Sequence, residues 1–526
     1  MRSLLLVAAV LAVGGCRTAT AGQGVHPSAP PEPPPRARGS GALHLLITTD
    51  EHGWLQPLVD EERKETQGGV LALFDRLSRV EGYAPGPDAL ARGYLLLSTG
   101  DMWTGPYEST LLEGAPMVAA MNRMGYSAAA VGNHDFDFGV QKLGKNGAAA
   151  RYPLLAANLV EVATGELPAW ARPFTIVEAG GVAIGVVGLT NVDTPVTSDP
   201  RHLTGLSFLP YAETLDAWIP RARAAGAQEI VVLIHDELAL ADQLLPVLRK
   251  HRVRAASFGH HHQAGARIDD AGTAALDDDV AVCNAGAYLR SYCVIELTLE
   301  AGALTKRSAA VKQVRGTVGA PLPSADAALA AIVADAEKHA ERIGGEVLVE
   351  SKRPLRRGPR GELGQLVVDS WLAALPWTQV AITNAGGIRQ DLAAGPVRVR
   401  DVASVLPFNN FLLVVELTGA ELKQALANEE SVVAGVRYRF KDADGMRRVT
   451  SLAFIDGKPI ADGDTVRVVI NDFMYRGGDR YTFASWDEEP EETAIDWREP
   501  VLRRLRALGQ QGKVLEQTVD ERARPE

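Results

Sequence analysis

The sequence predicts an α/β protein, α+β overall, with a layered sheet domain followed by a separate α/β domain. Three observations predict it. Short apolar runs alternate with helical stretches through the first part of the chain. Five of those runs end in a residue able to bind a metal. A new set of apolar and glycine-rich segments then begins beyond a helical stretch closed by Gly344-Gly345.

Taken in order, Leu43 to Thr49 is the first β-rich run, followed at once by Asp50-Glu51-His52-Gly53. Tyr94 to Thr99 ends in Gly100-Asp101, and Ser127 to Val131 leads into Gly132-Asn133-His134-Asp135-Phe136-Asp137. Glu229 to Ile234 ends in His235-Asp236, and Arg254 to Phe258 in Gly259-His260-His261-His262. Val70–Val80 and Leu238–Lys250 read as intervening helices. Apolar strands separated by helices imply a layered sheet buried on both faces. The segment 282–297 (VCNAGAYLRSYCVIEL) reads as a hairpin closing this domain, with Cys283 and Cys293 on facing strands, either bonded or free. Ser324 to Ile343 reads as a helix bridging to the second domain, with Ser324 and Asp326 near its start.

Ligands of open α/β sheets gather beyond the carboxyl ends of the strands, where the five Asp, His and Asn termini converge. Carboxylate, imidazole and amide oxygen together suit divalent Mn, Zn or Fe. Each element alone is an ordinary turn or cap; the ordered set on successive strand ends is what carries the inference.

Composition narrows the field. At 526 residues the chain holds about two to four domains. A net charge of −11, from 54 basic and 65 acidic residues with no long basic block, argues against a nucleic-acid polymer as partner. Three cysteines exclude a disulfide scaffold and a cysteine zinc site. Arg2 and the apolar stretch Leu4 to Val13 read as a signal peptide over 1–21, too short to span a bilayer. Val13-Gly14-Gly15-Cys16 resembles a bacterial lipobox, while Ala19-Thr20-Ala21 fits simple secretion. Proline-rich residues 22–40 read as an extended tether. Membrane contact is then expected only through a lipid anchor, facing the periplasm or cell surface, and no obligate protein partner is evident.

Asp50-x-His52, Gly100-Asp101, Gly132-Asn133-His134-Asp135, His235 and Gly259-His260-x-His262 resemble the calcineurin-like metallophosphoesterase pattern. Segments 67–77, 121–139 and 181–190 (QGGVLALFDRL, MNRMGYSAAAVGNHDFDFG, GVAIGVVGLT) narrow the likeness to the 5′-nucleotidase family of bacterial UDP-sugar hydrolase type, over about residues 43–500. The resemblance implies a four-layer β-sandwich flanked by helices over 41–320, a linker helix over 321–345 and a substrate-binding domain over 346–526. It implies two divalent metal ions, one held by Asp50, His52 and His262, the other by Asn133, His235 and His260, with Asp101 bridging. It gives His134 the phosphoryl group and the leaving oxygen, with Asp137 orienting the imidazole. His261 is read as a loop residue. The sequence departs from the pattern at Thr49, where Asn is usual, and at Asp236-Glu237 after His235.

In the second domain, TNAGGIRQDL (383–392), VLPFNNFLLVVELTG (405–419) and NDFMYRGGDRYTF (471–483) resemble the family's substrate-binding segments. Phe408 and Phe473 suit stacking on a base. Asp479 suits ribose hydroxyls, Asn410 a base edge, and Arg353, Arg357 and Arg389 phosphate. Arg356 and Arg360 match less well. Tyr475-Arg476 and Arg480 depart from the smaller residues usual around the double glycine. By resemblance this domain binds the nucleoside and moves relative to the metal domain about a hinge near 343–352. The reading is an exported two-metal hydrolase of nucleoside 5′-phosphates. The alternatives are the same chemistry on a 2′,3′-cyclic nucleotide, a nucleotide sugar or a sulfur ester, a catalytically silent surface lipoprotein, or an adhesive surface protein.

Overall fold

The computed structural model describes residues 39–526 except 61–62, 274–275, 319, 321–325 and 444–445. The export segment, the lipobox at Cys16, the tether up to residue 38 and Ser324 lie outside the described residues.

Two six-stranded sheets form the first domain. One runs Ala303–Gln313, Ser291–Glu300, Gly41–Thr48, Tyr94–Ser98, Ala128–Ala130, Leu154–Leu155. The other runs Gly265–Asp269, Val280–Asn284, Val253–Phe258, Glu229–Ile234, Val182–Leu189, Phe174–Ala179. Gly41–Thr48, Tyr94–Ser98 and Ala128–Ala130 run parallel in the first sheet, where Ser291–Glu300 is antiparallel to Gly41–Thr48, and the four inner strands of the second sheet run parallel. The parallel strands' carboxyl ends therefore lie side by side: Thr48 pairs with Ser98, and Ile234 with Phe258. All five expected strands are present within two residues of the expected ends.

Strand periodicity accounts for the layering. Leu43, Leu45, Ile47, Leu95 and Leu97 meet Ile184, Val186, Val231 and Leu233 between the sheets. The alternate residues point outward. Leu46 and Leu96 pack under the helices Val70–Val80 and Ala115–Met124. Ile230, Val232 and Ile234 pack under Tyr211–Ala224 and Ala241–Lys250. Four layers result, as expected.

The segment 282–297 is not a hairpin. Val280–Asn284 belongs to one sheet and Ser291–Glu300 to the other, so the chain crosses the sandwich between them. Both ends are continuously apolar, and periodicity cannot tell two strands of one sheet from two strands facing across a core. Cys283 and Cys293 are disulfide-bonded across the two sheets, with Cα atoms 6.3 Å apart.

The linker helix runs Ala327–Gly344. Asp326 caps it, its Oδ1 accepting the Leu329 N–H at 2.8 Å. Leu329, Val333 and Ala336 pack in the same core as Met117, Met121 and Met124 of the helix Ala115–Met124. At the far end Glu341 pairs with Arg400 of the second domain at 2.8 Å. That domain is a five-stranded sheet, Ser431–Ala434, Val380–Asn384, Thr465–Asn471, Phe411–Thr418, Glu491–Asp496. Helices Glu362–Ala374 and Glu499–Gln510 pack in the core on one side. Helix Gly419–Leu426 and the hairpin Val436–Ala443/Met446–Phe454 contribute to the other core. Among the described residues no helix is long and apolar enough to cross a membrane.

Candidate metal centre and adjoining cavity

Three of the five loops beyond the strand ends turn sharply. Asp50, His52, Asp101, His260 and His262 all have positive φ, between 45° and 67°. Side-chain-bearing residues hold that conformation at a cost of about 1 kcal/mol each, and it concentrates at functional sites. Five of the seven residues expected as ligands are strained in this way. The strain aims them inward.

Two clusters result. Asp50, His52 and His262 form one, and Asp101, His235 and His260 the other; within each, the ligand-type atoms lie within 4.8 Å of one another. Asp101 faces both: its Oδ2 is 3.1 Å from His235 Nε2 and 3.6 Å from His52 Nε2. Asn133 Nδ2 donates to the Thr197 carbonyl at 3.1 Å, which turns its Oδ1 the other way.

The backing bonds select which atoms point in. His52 Nδ1 bonds the Thr104 carbonyl at 2.8 Å, and His235 Nδ1 the Thr99 carbonyl at 2.9 Å. Each bond fixes a tautomer with Nε2 free as a ligand. Asp50 Oδ2 accepts from Thr49 Oγ1 at 2.7 Å and from the His260 N–H at 3.0 Å. Thr49 therefore braces the ligand from the position where Asn is usual. What remains is a set of buried atoms with no hydrogen-bond partner: Asp50 Oδ1, Asp101 Oδ2, Asn133 Oδ1 and His235 Nε2. Orphaned buried polar atoms converging on one point are what a cation satisfies. The donor set fits two divalent metals.

The charges agree. Burial pushes the Asp50 carboxyl up, but His262 outweighs it and holds the carboxyl down to about 2. Burial likewise opposes ionisation of Asp101, and His235 beside it holds it well below the usual carboxylate range. Burial and the neighbouring His235 bring His260 down to about 3, leaving a neutral imidazole.

His134 follows Asn133 and sits between the clusters and open space. Its backbone N–H donates to Asp101 Oδ1 at 2.7 Å, and its Nδ1 bonds Asp137 Oδ2 at 3.0 Å. Asp135 had no expected role. Its carboxylate accepts from the N–H groups of Gly132, Asp101 and Met102 at 2.8, 3.0 and 2.8 Å. It thus clamps the Asp101 loop to the Asn133 loop. The available signal was a carboxylate inside a tight turn between two ligand positions.

A cavity of about 810 Å³ opens from this centre and runs between the two domains. Asn133, His134, Asp137, His260 and His262 line it from the first domain. Arg357, Arg389, Phe408, Asn410, Phe473 and Asp479 line it from the second. Arg389 reaches furthest, with one guanidinium nitrogen 3.2 Å from His52 Nε2. Asp479 (φ 50°) is held by Asn384 Nδ2 at 2.7 Å, and burial pushes its carboxyl up. Arg353 is not brought to the cavity. Its guanidinium pairs with Glu362 at 3.0 Å and reaches the Gln517 carbonyl. Asn384 and Asn428 line the cavity without having been singled out. Of the two additional carboxylates after His235, Asp236 accepts from the Tyr211 hydroxyl at 2.6 Å, and Glu237 pairs with His261 at 3.2 Å. Both are engaged at the rim, and His261 is in the loop as read.

Residues 43–264 match the calcineurin-like phosphoesterase family, and residues 325–485 match the 5′-nucleotidase C-terminal domain. The chain is 25% identical to a 5′-nucleotidase of Vibrio cholerae over 91% of each protein. It is 25% identical to the cell wall protein Lmo0130 of Listeria monocytogenes over 86% of this chain, spanning 65% of that protein's length. The crystal structure of a 5′-nucleotidase precursor from Thermus thermophilus superposes with a TM-score of 0.78 at 27% identity, over 92% of this chain and 99% of that one. Fold, paired clusters and family matches together define a metallophosphoesterase, with two divalent metal ions as cofactor. The chain belongs to the 5′-nucleotidase family of these enzymes, phosphoric monoester hydrolases that pair the phosphoesterase domain with a 5′-nucleotidase C-terminal domain.

Proposed function

We propose that this chain is an exported 5′-nucleotidase that hydrolyses nucleoside 5′-phosphates to nucleoside and phosphate. One observation carries the reading. A single cavity is lined by His134, His260 and His262 of one domain and by Phe408, Phe473 and Asp479 of the other.

In this reading Asp50, His52 and His262 would hold one metal and Asn133, His235 and His260 the other, with Asp101 a candidate ligand of both. When bound, two such ions neutralise charge on the phosphoryl oxygens and make water a competent nucleophile near neutral pH. The chain's own residues do the rest. Phe408 and Phe473 stack on the base, Asp479 accepts from ribose hydroxyls, and Asn410 reads a base edge. Arg357 and Arg389, neither paired with a carboxylate among the described residues, take phosphate oxygens. His134 presents Nε2 to the phosphoryl group and passes a proton to the leaving 5′-oxygen, while Asp137 fixes the ring through Nδ1. The name of the Vibrio cholerae relative supports the substrate class.

The test is phosphate release from 5′-AMP by the purified protein with Mn²⁺ and then with chelator. Release abolished by chelator is expected. No release, with activity on a generic aryl phosphodiester, would keep the metal centre and discard the nucleotide.

Export is part of the proposal. A buried disulfide between Cys283 and Cys293 suits an oxidising compartment, and one relative is named a cell wall protein. We read Cys16 as the lipidated residue. Membrane fractionation of Cys16→Ser checks it: unchanged membrane association would reject the anchor.

A further inference from the structure

The segment from Asn191 to His202 belongs to the phosphoesterase domain, yet it touches both the candidate centre and the second domain. On its inner side the Thr197 carbonyl accepts from Asn133 Nδ2 at 3.1 Å. Ser198 Oγ donates to the Asn133 carbonyl at 2.6 Å and lies 3.4 Å from Asp137 Oδ1. One short segment thereby orients the amide assigned to a metal and braces the carboxylate that holds His134.

Its outer side carries two ion pairs to the second domain. Asp193 Oδ2 is 2.7 Å from the Arg480 guanidinium, and the Arg201 guanidinium is 3.1 Å from Asp472 Oδ2. Asp199 chelates the Arg201 guanidinium and fixes its direction. Asp472 is 2% exposed and its other oxygen accepts the Phe411 N–H at 3.1 Å. The two ion pairs reach the parts of the second domain that line the cavity, because Asp472 precedes Phe473 and Arg480 follows Asp479. The backbone at Arg480 is costly in itself: φ is 50° at Asp479 and 62° at Arg480, two successive residues in the left-handed region. Strain of that kind persists where surrounding contacts over-determine it, and the Asp193 contact is one.

We propose that Asp193 and Arg201 are positioning residues. They tie the cavity-lining turns of the second domain to Asn133, His134 and Asp137, so that docking of Arg480 and Asp472 sets the geometry of the metal-ligand amide and of the His134–Asp137 pair. The proposal rests on the nucleotide reading above for its activity readout alone. Asp193, Arg201 and Arg480 themselves line the cavity, so the effects on kcat and on KM are read separately. A spatial link is not yet a coupling, so the test is a double-mutant cycle.

The experiment compares the full chain with Arg480→Asp, Asp193→Arg and the two combined. Both side chains of the Asp193–Arg480 pair are exposed, so each single variant should lose about two- to fivefold in kcat on 5′-AMP, the range in which exposed ion pairs act, with KM changed less than about twofold. The charge-swapped double variant should regain most of that loss. A second readout needs no substrate. In the metal-free protein, amide hydrogen exchange over residues 191–202 should quicken in each single variant and slow again in the double. Arg480→Gln replaces Arg480→Asp if the reversal impairs folding. Unmoved kcat and exchange in the single variants, or a double variant no better than either, would overturn the coupling. Suppose wild type releases no phosphate from 5′-AMP but the exchange cycle behaves as stated: the nucleotide reading then falls and the coupling stands.

Discussion

The ring of Phe408 lies over the imidazole of His134, with centroids 5.4 Å apart and planes within 20° of parallel. One residue belongs to the proposed nucleoside pocket and the other to the proposed chemistry. Their contact crosses the domain boundary at the cavity. The Arg389 guanidinium joins the same stack, 5.8 Å from the Phe408 ring centroid.

Substitutions at these two positions should therefore separate. His134→Ala should lower kcat on 5′-AMP by about 10² to 10⁴, the usual share of a positioned acid, with metal content retained. Phe408→Ala should instead raise KM by roughly tenfold, the loss of one base–aromatic stack. Steady-state kinetics with metal analysis of both variants checks this. A His134→Ala variant with wild-type turnover would sink the assigned role.

Asp137 holds His134 through Nδ1 at 3.0 Å. Asp137→Asn should lower kcat by about tenfold or more, since an amide bonds Nδ1 more weakly than a carboxylate and holds the ring less firmly. Added to His134→Ala, it should cost almost nothing further, because groups acting as a unit are not additive. A fully additive double variant would show that Asp137 works elsewhere.

Asp101 faces both clusters through a single oxygen. Asp101→Asn should lower the content of both metals, whereas His262→Ala should weaken chiefly the Asp50–His52 cluster. Inductively coupled plasma analysis after dialysis measures the stoichiometry. Equal loss of one ion in the two variants would remove the bridging assignment.

Much of the centre was legible in the sequence, and the reasons are local. Leu43 to Thr49 and Glu229 to Ile234 are apolar, β-rich runs that stop at Asp50 and His235, so strand, end and candidate ligand could be read together. The backbone conformation was not legible: nothing in the residue types of Asp50, His52 or His260 announces positive φ. Asp193 to Arg201 carries no motif, and its connections to Asn133 and Arg480 depend on how distant segments pack. Arg353 shows the converse. It has a suitable side chain in a suitable segment, but Glu362 is nearer and takes it.

The cysteines were visible while their arrangement was not. Val280–Asn284 and Ser291–Glu300 lie in different sheets, so the Cys283–Cys293 bond ties the sandwich through its core. Replacing both with serine should cost about 2–4 kcal/mol of stability. Denaturant unfolding of the double variant tests this. An unchanged midpoint would mean that the apolar core alone fixes the crossing.

The linker helix offers a prediction with a sign in pH. Asp326 accepts the Leu329 N–H and is paired with Arg123, and that bond from Arg123 holds its carboxyl below the usual range. A carboxyl depressed in the folded state contributes stability that is fully present above its unfolded pKa of about 3.9. The contribution is lost as pH falls below that value. Asp326→Asn retains a capping oxygen but no charge, and Arg123 is about half exposed, so the cost at pH 7 should be only about 1 kcal/mol. Chemical denaturation of wild type and Asp326→Asn across pH 7 to pH 3 should show two curves that converge at the acid end. A gap that stays constant over that range would mean the carboxylate charge contributes nothing, leaving Asp326 as a cap alone.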